Sequence, residues 1–226
     1  MKSFSNALIF FFLLCNSSLF AQVKFSAATD VSVLHNFDPQ QKFTVPGLTI
    51  MPQWHLDEKN TVYAWLNIMK GKYENSLIAT AKSQTTQPQT ISFSDQSTMK
   101  LKHISFGFKR YLIGSFNSLE KFNLYAAGGF GVMFGNASNT FSTNIDTALY
   151  TIQYNVVHGA GDFKRLTFDI TGGVEFPFSY EFYLYSEIRM YIPTTDYPSK
   201  YLLNNSHAPF LCGINLGLRI LFDTDP

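Results

Sequence analysis

Cysteine is nearly absent: the 226 residues hold two, Cys15 and Cys212. Cys15 lies in a leader removed from the mature chain on the reading below, so one thiol remains and no intramolecular disulfide is possible. An exported domain of this length without a disulfide must be held by its backbone ladder or its core. A surplus of charge is also missing. The chain has 17 Lys and Arg against 16 Asp and Glu. The leader carries one Lys and no acid, so the mature chain is formally neutral, which removes the electrostatic case for nucleic acid. After the leader, no stretch approaches the roughly 18 consecutive apolar residues of a membrane helix. No convincing amphipathic helix and no repeat at solenoid spacing is found. His35 and His55 fall on different segments without metal-ligand spacing, so no metal is expected. "GGFG" at 128–131 lies inside a strand and precedes no helix, so it is a packing feature and not a nucleotide loop; no cofactor is expected.

What is present begins with an export signal. Lys2 is followed by the short apolar run "ALIFFFLL" (7–14) and by "SSLFAQ", which offers cleavage after Ala21. Leu19 is bulkier than the small residue usual at the −3 position. A lipoprotein signal would need a small residue before Cys15, where Leu14 stands. Residues 1–21 are therefore read as a signal peptide and 22–226 as one domain, a length that suits a single core.

Eight segments alternate with the period of two of a β-strand with unlike faces: roughly 23–35, 46–56, 61–73, 99–112, 121–134, 165–178, 181–192 and 209–222. In the seventh, Phe182, Leu184, Ile188, Met190 and Ile192 oppose Tyr183, Tyr185, Glu187, Arg189 and Tyr191. The third is ambiguous, because Tyr63 and Trp65 oppose Val62, Ala64, Leu66 and Ile68 and both sets are apolar. Short connections (57–60, 113–120, 179–181) alternate strictly with longer polar ones (36–45, 74–98, 135–164, 193–208), so all short turns and both termini lie at one end. Segment 74–98 is rich in Ser, Thr and Gln and reads as an exposed mobile loop.

Two closed barrels fit this outline, a soluble one greasy inside and a membrane one greasy outside. The membrane form is favoured. The polar parity is rich in small residues such as Gly129, Gly173 and Gly217, which suit a narrow interior. The apolar parity is almost free of charge, and the unequal loops match the two sides of an outer-membrane barrel. The fold class expected is all-β, a closed antiparallel up-and-down transmembrane barrel of eight strands. Trp54, Tyr63, Tyr111, Phe122, Phe178, Tyr180 and Phe182 cluster near the short-turn end and read as an interfacial girdle.

On the signal peptide, the eight alternating segments and the closing "GINLGLRILF" (213–222), the chain resembles the small eight-stranded outer-membrane barrels of the OmpA-transmembrane-domain, OmpX and OmpW type. The resemblance spans the mature chain, is architectural and brings no catalytic motif. One departure is that Phe222 is followed by "DTDP", whereas many such proteins end on an aromatic residue that aids recognition by assembly machinery.

Arg189 and Arg219 project inward on adjacent strands, with Asp30, Asp169, Glu175 and Glu187 sharing the interior. Pairing Phe178 with Phe182 puts Glu187 opposite Gly173 and Arg189 opposite Thr171. Buried charges need partners, so the group reads first as a salt-bridge plug, with a gated pore lining or an acid–base pair as the other readings. Tyr183, Tyr185 and Tyr191 fill the same space. His103 and Ser105 weakly resemble the His-x-Ser of outer-membrane lipid A deacylases, but Phe106 follows where those have Asn, the parity faces the lumen, and no Glu partner is evident. The expectation is a monomeric, non-enzymatic outer-membrane barrel of a Gram-negative bacterium with a plugged polar interior. Its partners would be outer-membrane lipid and lipopolysaccharide, the latter near Lys100 and Lys102, and a surface ligand held by 74–98 and 135–164. A small channel or apolar-solute conduit is the alternative, and a lipid-modifying enzyme a third.

Overall fold

The computed structural model describes residues 24–36, 43–153, 156–194 and 210–222. The expected leader with its expected cleavage site and Cys15, the middle of the 36–45 connection, most of 193–208 and the final "DTDP" lie outside the described residues. Among those described, every regular element is a strand: β1 Lys24–Asn36, β2 Thr44–His55, β3 Asn60–Ala81, β4 Thr90–Ile113, β5 Asn123–Phe141, β6 Tyr150–Ile152, β7 Gly159–Pro177, β8 Phe182–Pro193 and β9 Leu211–Phe222. Each long strand pairs antiparallel with its neighbours, β1 pairs with β9, and β2 pairs with β3, so eight strands close into a ring with β6 attached outside it. Closure leaves no unpaired backbone edge around the ring.

The two parities have separate environments. Val31, Leu48, Ile50, Phe106, Phe130, Leu166, Ile188 and Ile214 are exposed on the outside. Phe130 is 69% exposed and Ile214 65%, values that no aqueous core explains. The inward parity is buried and mostly polar in the short-turn half, with Ser26, Thr49, Gln53, His55 and Asn67 among its members. The long-loop half differs from the expected polar interior. There Leu34, Met69, Met99, Leu101, Met133, Phe163 and Leu211 form an apolar plug. Buried Arg165, level with Met133 on the neighbouring strand, lies 5.4 Å over the Phe163 ring among them, and flexible methionines fill irregular space well.

The strands also run further than their sequence periodicity. The 74–98 stretch is not a loop: β3 and β4 pair continuously from Lys72–Thr98 to Thr80–Thr90, leaving 82–89 as the turn. Alternating Ser and Thr look like a loop because both faces are polar, yet the ladder satisfies the backbone and Thr suits strands. Likewise β5 and β7 pair from Asn123–Glu175 to Asn139–Gly159 and take up both ends of 135–164. β6, from the middle of that stretch, pairs with Ala79–Ala81 of β3. The junction buries Leu77, Ala79, Phe93, Ile145, Tyr150, Ile152 and Val156 in a small core of its own.

Inward glycines make room for rings. Gly107 and Gly129 face each other on β4 and β5. A Cβ at Gly107 would run into the Tyr63 hydroxyl, and one at Gly129 would lie 2.9 Å from that hydroxyl and 2.5 Å from the Phe106 carbonyl oxygen. Gly172 faces outward, with nothing within 4 Å of the equivalent point. Gly107→Ala is therefore expected to destabilise the barrel by about 1–3 kcal/mol, while Gly172→Ala stays within about 0.5 kcal/mol of the parent. Urea unfolding of both variants in the same lipid checks the contrast; equal costs would mean that the interior is loosely packed.

Candidate functional site: the ionic interior

The short-turn half of the barrel is crossed by two charged clusters. Lower in the barrel, Glu175 of β7 accepts from Arg219 of β9 through Nε at 2.9 Å and again through Nη2. It also accepts from Lys109 Nζ of β4 at 3.1 Å, with the Tyr111 hydroxyl at 3.3 Å. The Arg219 guanidinium lies 4.0 Å over the Tyr183 ring, and the Lys109 ammonium 3.8 Å over that of Tyr125. Arg219 Nη2 also donates to the Phe116 carbonyl at 2.6 Å. Phe116 belongs to the β4–β5 turn but folds into the barrel mouth and stacks 4.2 Å from His55. His55 in turn bonds Ser26 and Thr61, each at 2.8 Å. A turn residue thus closes the end of the lumen.

Higher up, Arg189 of β8 pairs with Glu187 and with Asp30 of β1, the latter at 3.2 Å. It donates to Thr49 Oγ1 at 3.1 Å and lies 4.0 Å over the Trp65 ring. The carboxylates have further donors: Tyr185 to Asp30 at 2.9 Å, and Tyr125 and Asn215 to Glu187 at 2.9 and 3.0 Å. Tyr191 stands between Arg189 and Asn67, whose Nδ2 donates to its hydroxyl at 2.8 Å. All four basic or acidic side chains at the centres of these clusters, Arg189, Arg219, Glu175 and Asp30, are buried.

Beside the upper cluster, Trp65 Nε1 donates to His103 Nδ1 at 3.0 Å, which leaves His103 Nε2 to donate to Thr167 at 2.8 Å. Ser105 donates to Asp169 Oδ2 at 2.5 Å. A histidine, a serine and a carboxylate therefore do meet, the acid arriving from β7. The serine hydroxyl contacts the carboxylate and, at 3.0 Å, the Phe130 carbonyl oxygen, no hydrogen bond joins it to the imidazole, and all three side chains are sealed from solvent. The arrangement is a hydrogen-bonded filler: a nucleophile needs its base within reach and a path for substrate.

Asp30, Asp169, Glu175, Glu187, Arg189 and Arg219 are thus brought together with Tyr183, Tyr185 and Tyr191 inside the barrel, in the register Thr171–Arg189 and Gly173–Glu187. Two of the girdle residues are not on the girdle. Tyr63 and Tyr111 are each 1% exposed and point inward. Both lie close to short turns, but parity decides the face: Tyr63 fits over two glycines, and the Tyr111 hydroxyl reaches Glu175. The remaining five sit outside or in the turns at that end. Trp54 is 5.9 Å from Phe25, Phe122 is 6.3 Å from Phe176, Phe178 and Tyr180 are exposed, and Phe182 is half-buried. Lys109, Trp65 and Phe116 are site residues that the sequence reading missed. Lys109 and Trp65 share the inward parity of Ser105 and Tyr63, a usable signal; Phe116 sits in a turn, where parity says nothing.

Glu175 holds two cations, so its removal leaves both unmatched. Glu175→Ala is expected to cost more than Arg219→Ala, and Arg189→Ala to cost about 3–5 kcal/mol, as for breaking a fully buried pair. Urea unfolding followed by the mobility difference between boiled and unboiled protein measures the order. Unchanged unfolding in Arg189→Ala and Arg219→Ala together would show that these arginines do not hold the interior.

No family model matches the sequence, and no curated protein matches it. Solved structures do resemble the fold. Neisserial surface protein A from Neisseria superposes with a TM-score of 0.56 at 9% identity, covering 88% of this chain and 97% of that one. A major outer membrane protein from Thermus thermophilus superposes with a TM-score of 0.51 at 9% identity, covering 88% and 99%. The architecture of this chain is that of the small eight-stranded outer-membrane β-barrels.

Proposed function

We propose that this chain is a non-enzymatic outer-membrane barrel that acts at the cell surface through the structured extension above its long-loop rim. The apolar exterior calls for lipid around a closed barrel. The aromatic residues at the short-turn end, Trp54, Phe122, Phe178, Tyr180 and Phe182, serve as the periplasmic girdle. The observation that carries the functional reading is the contrast between the two ends. The lumen is crossed by fully buried Arg189 and Arg219 and then filled by Met69, Met99 and Leu101, as expected where an eight-stranded barrel is just wide enough for its own side chains. Beyond it, β3, β4 and β6 build a hairpin platform with a dedicated core and a cleft of about 440 Å³ lined by Phe141, Ile145, Ile152 and Val157. A core of that kind does nothing for the membrane segment. It holds the shape of a surface.

Surface contact is tested by shortening. Replacing 74–96 and 138–160 with tight turns should leave a barrel that still shifts on boiling, and should abolish binding to host cells or matrix by cells displaying the protein. Protease added to intact cells should cut in 82–89 or 142–149 and spare 57–60. Binding that survives both deletions would remove the surface role, and a large stable conductance in planar bilayers would replace it with a channel.

A further inference from the structure

The outer wall carries a second feature, unrelated to the lumen. Near the long-loop rim, β3, β4 and β7 turn five lysines outward: Lys70, Lys72, Lys100, Lys102 and Lys164, all exposed or half-exposed. Lys70 pairs directly with Lys100 across the β3–β4 ladder. Lys102 and Lys164 flank the same residue, Phe134 of β5, which puts them two strand spacings apart, about 10 Å. Like charges directly opposite each other destabilise an antiparallel pair. Among the described residues none of the five forms an ion pair with a carboxylate. Two acids share this face: Asp162, two residues from Lys164, accepts from Asn136 Nδ2 at 2.8 Å, and Glu74 lies two residues from Lys72 at the outer edge of the group.

Three of the lysines line a cleft of about 530 Å³, with Lys100, Lys102, Phe134, Asn136, Asp162 and Lys164 among its walls. Directly toward the short-turn end the wall becomes apolar, with Ile104, Phe106, Phe130 and Leu166 exposed. The feature is one-sided. On β8, β9, β1 and β2 the corresponding outward positions carry no lysine or arginine: they are Met190, Ile192, Cys212, Ile214, Val33, Pro46 and the hydrogen-bonded pair His35 and Thr44. A general basic collar would encircle the barrel, whereas this cluster occupies one arc. Its complement is a molecule with closely spaced anionic groups at the rim and hydrocarbon below it.

We propose that this arc binds the head group of a phosphorylated glycolipid of the outer leaflet. The phosphates would lie against Lys100, Lys102 and Lys164, with Lys70 and Lys72 flanking, and the acyl chains against Ile104, Phe106, Phe130 and Leu166. Clustered basic residues at a membrane surface attract anionic head groups with an energy that grows per cation, and this ligand relieves the lysine–lysine repulsion that the sheet otherwise carries. The inference rests on the outer-membrane reading above.

The test uses the full chain in phosphatidylcholine nanodiscs, with bisphosphorylated lipid A as the probe and bound lipid counted by native mass spectrometry. The variants are Lys100→Gln/Lys102→Gln/Lys164→Gln and the matching triple Arg substitution. Expected is a loss of at least about tenfold in affinity for the Gln variant, retention in the Arg variant, equally weak binding of dephosphorylated lipid A by the parent, and no displacement by inorganic phosphate. A folded Gln variant that binds as the parent does, or a parent indifferent to the lipid phosphates, overturns the proposal. Displacement by inorganic phosphate would reduce the cluster to a general anion site. Should the Gln variant fail to shift on boiling, the phosphorylated and dephosphorylated lipids compared on the parent decide alone. A parent that never enters the bilayer defeats the outer-membrane reading; one that enters and ignores the head group defeats only this inference.

Discussion

The Glu175 carboxylate, held by Arg219 and Lys109 with Tyr111 at its side, joins β7 to β9 on one flank and to β4 on the other, each two strands away. Arg189 does the same for β8, β1 and β2 through Glu187, Asp30 and Thr49. Removing such charges from water costs several kcal/mol each, and that cost is offset only where geometry and extra hydrogen bonds are good. The interior meets that condition with rings as well as acids. Tyr183, Tyr125 and Trp65 offer their faces to the three cations, while Tyr185, Tyr125 and Asn215 donate to the carboxylates. A slip of one residue on any of these strands would turn its charge toward the apolar exterior, so the clusters also fix register.

The other features follow from a lumen occupied in this way. Rings of this size need glycine opposite them, which places Gly107, Gly129, Gly173 and Gly217 on the inward parity beside Tyr63, Tyr125 and Tyr185. Phe116 folds back to cap the lower cluster, and apolar side chains cover the upper one. On the reading proposed above, a bore occupied in this way leaves the extensions and the outer wall as the surfaces that act. The Asp57–Asn60 turn at the opposite end is built only to reverse the chain. Asp57 accepts from the backbone nitrogens of Lys59 and Asn60 at 2.8 Å and from the Asn60 side chain at 2.7 Å. Its carboxyl is held below the usual range first by that Asn60 side chain.

Strand number, antiparallel order and the facing of nearly every residue were legible because a closed barrel offers only two environments, and a period of two sorts residues between them. The register Thr171–Arg189 followed from one tight turn. Tyr63 and Tyr111 were misread where nearness to a turn was weighed above parity. The 74–98 hairpin was missed because Ser and Thr on both faces erase the alternation while leaving the ladder intact. The union of Lys109, Glu175 and Arg219 was out of reach for another reason. It joins strands that are not paired with one another, so it depends on the stagger and curvature accumulated over two successive pairings on each side, which leaves no local trace in the chain. The Asp169 partner of Ser105 was hidden in the same way.

The central claim is that water does not reach the two arginines that cross the barrel. Side-chain Nε–H exchange with solvent, followed by nitrogen-15 NMR of the protein in nanodiscs, measures this directly, with Arg110 on the exposed outer face as the internal reference. The account predicts that Arg189 and Arg219 exchange far more slowly than Arg110, and that both remain slow when Lys109 is replaced by arginine. Exchange at the rate of Arg110 would mean a hydrated bore, and would contradict it.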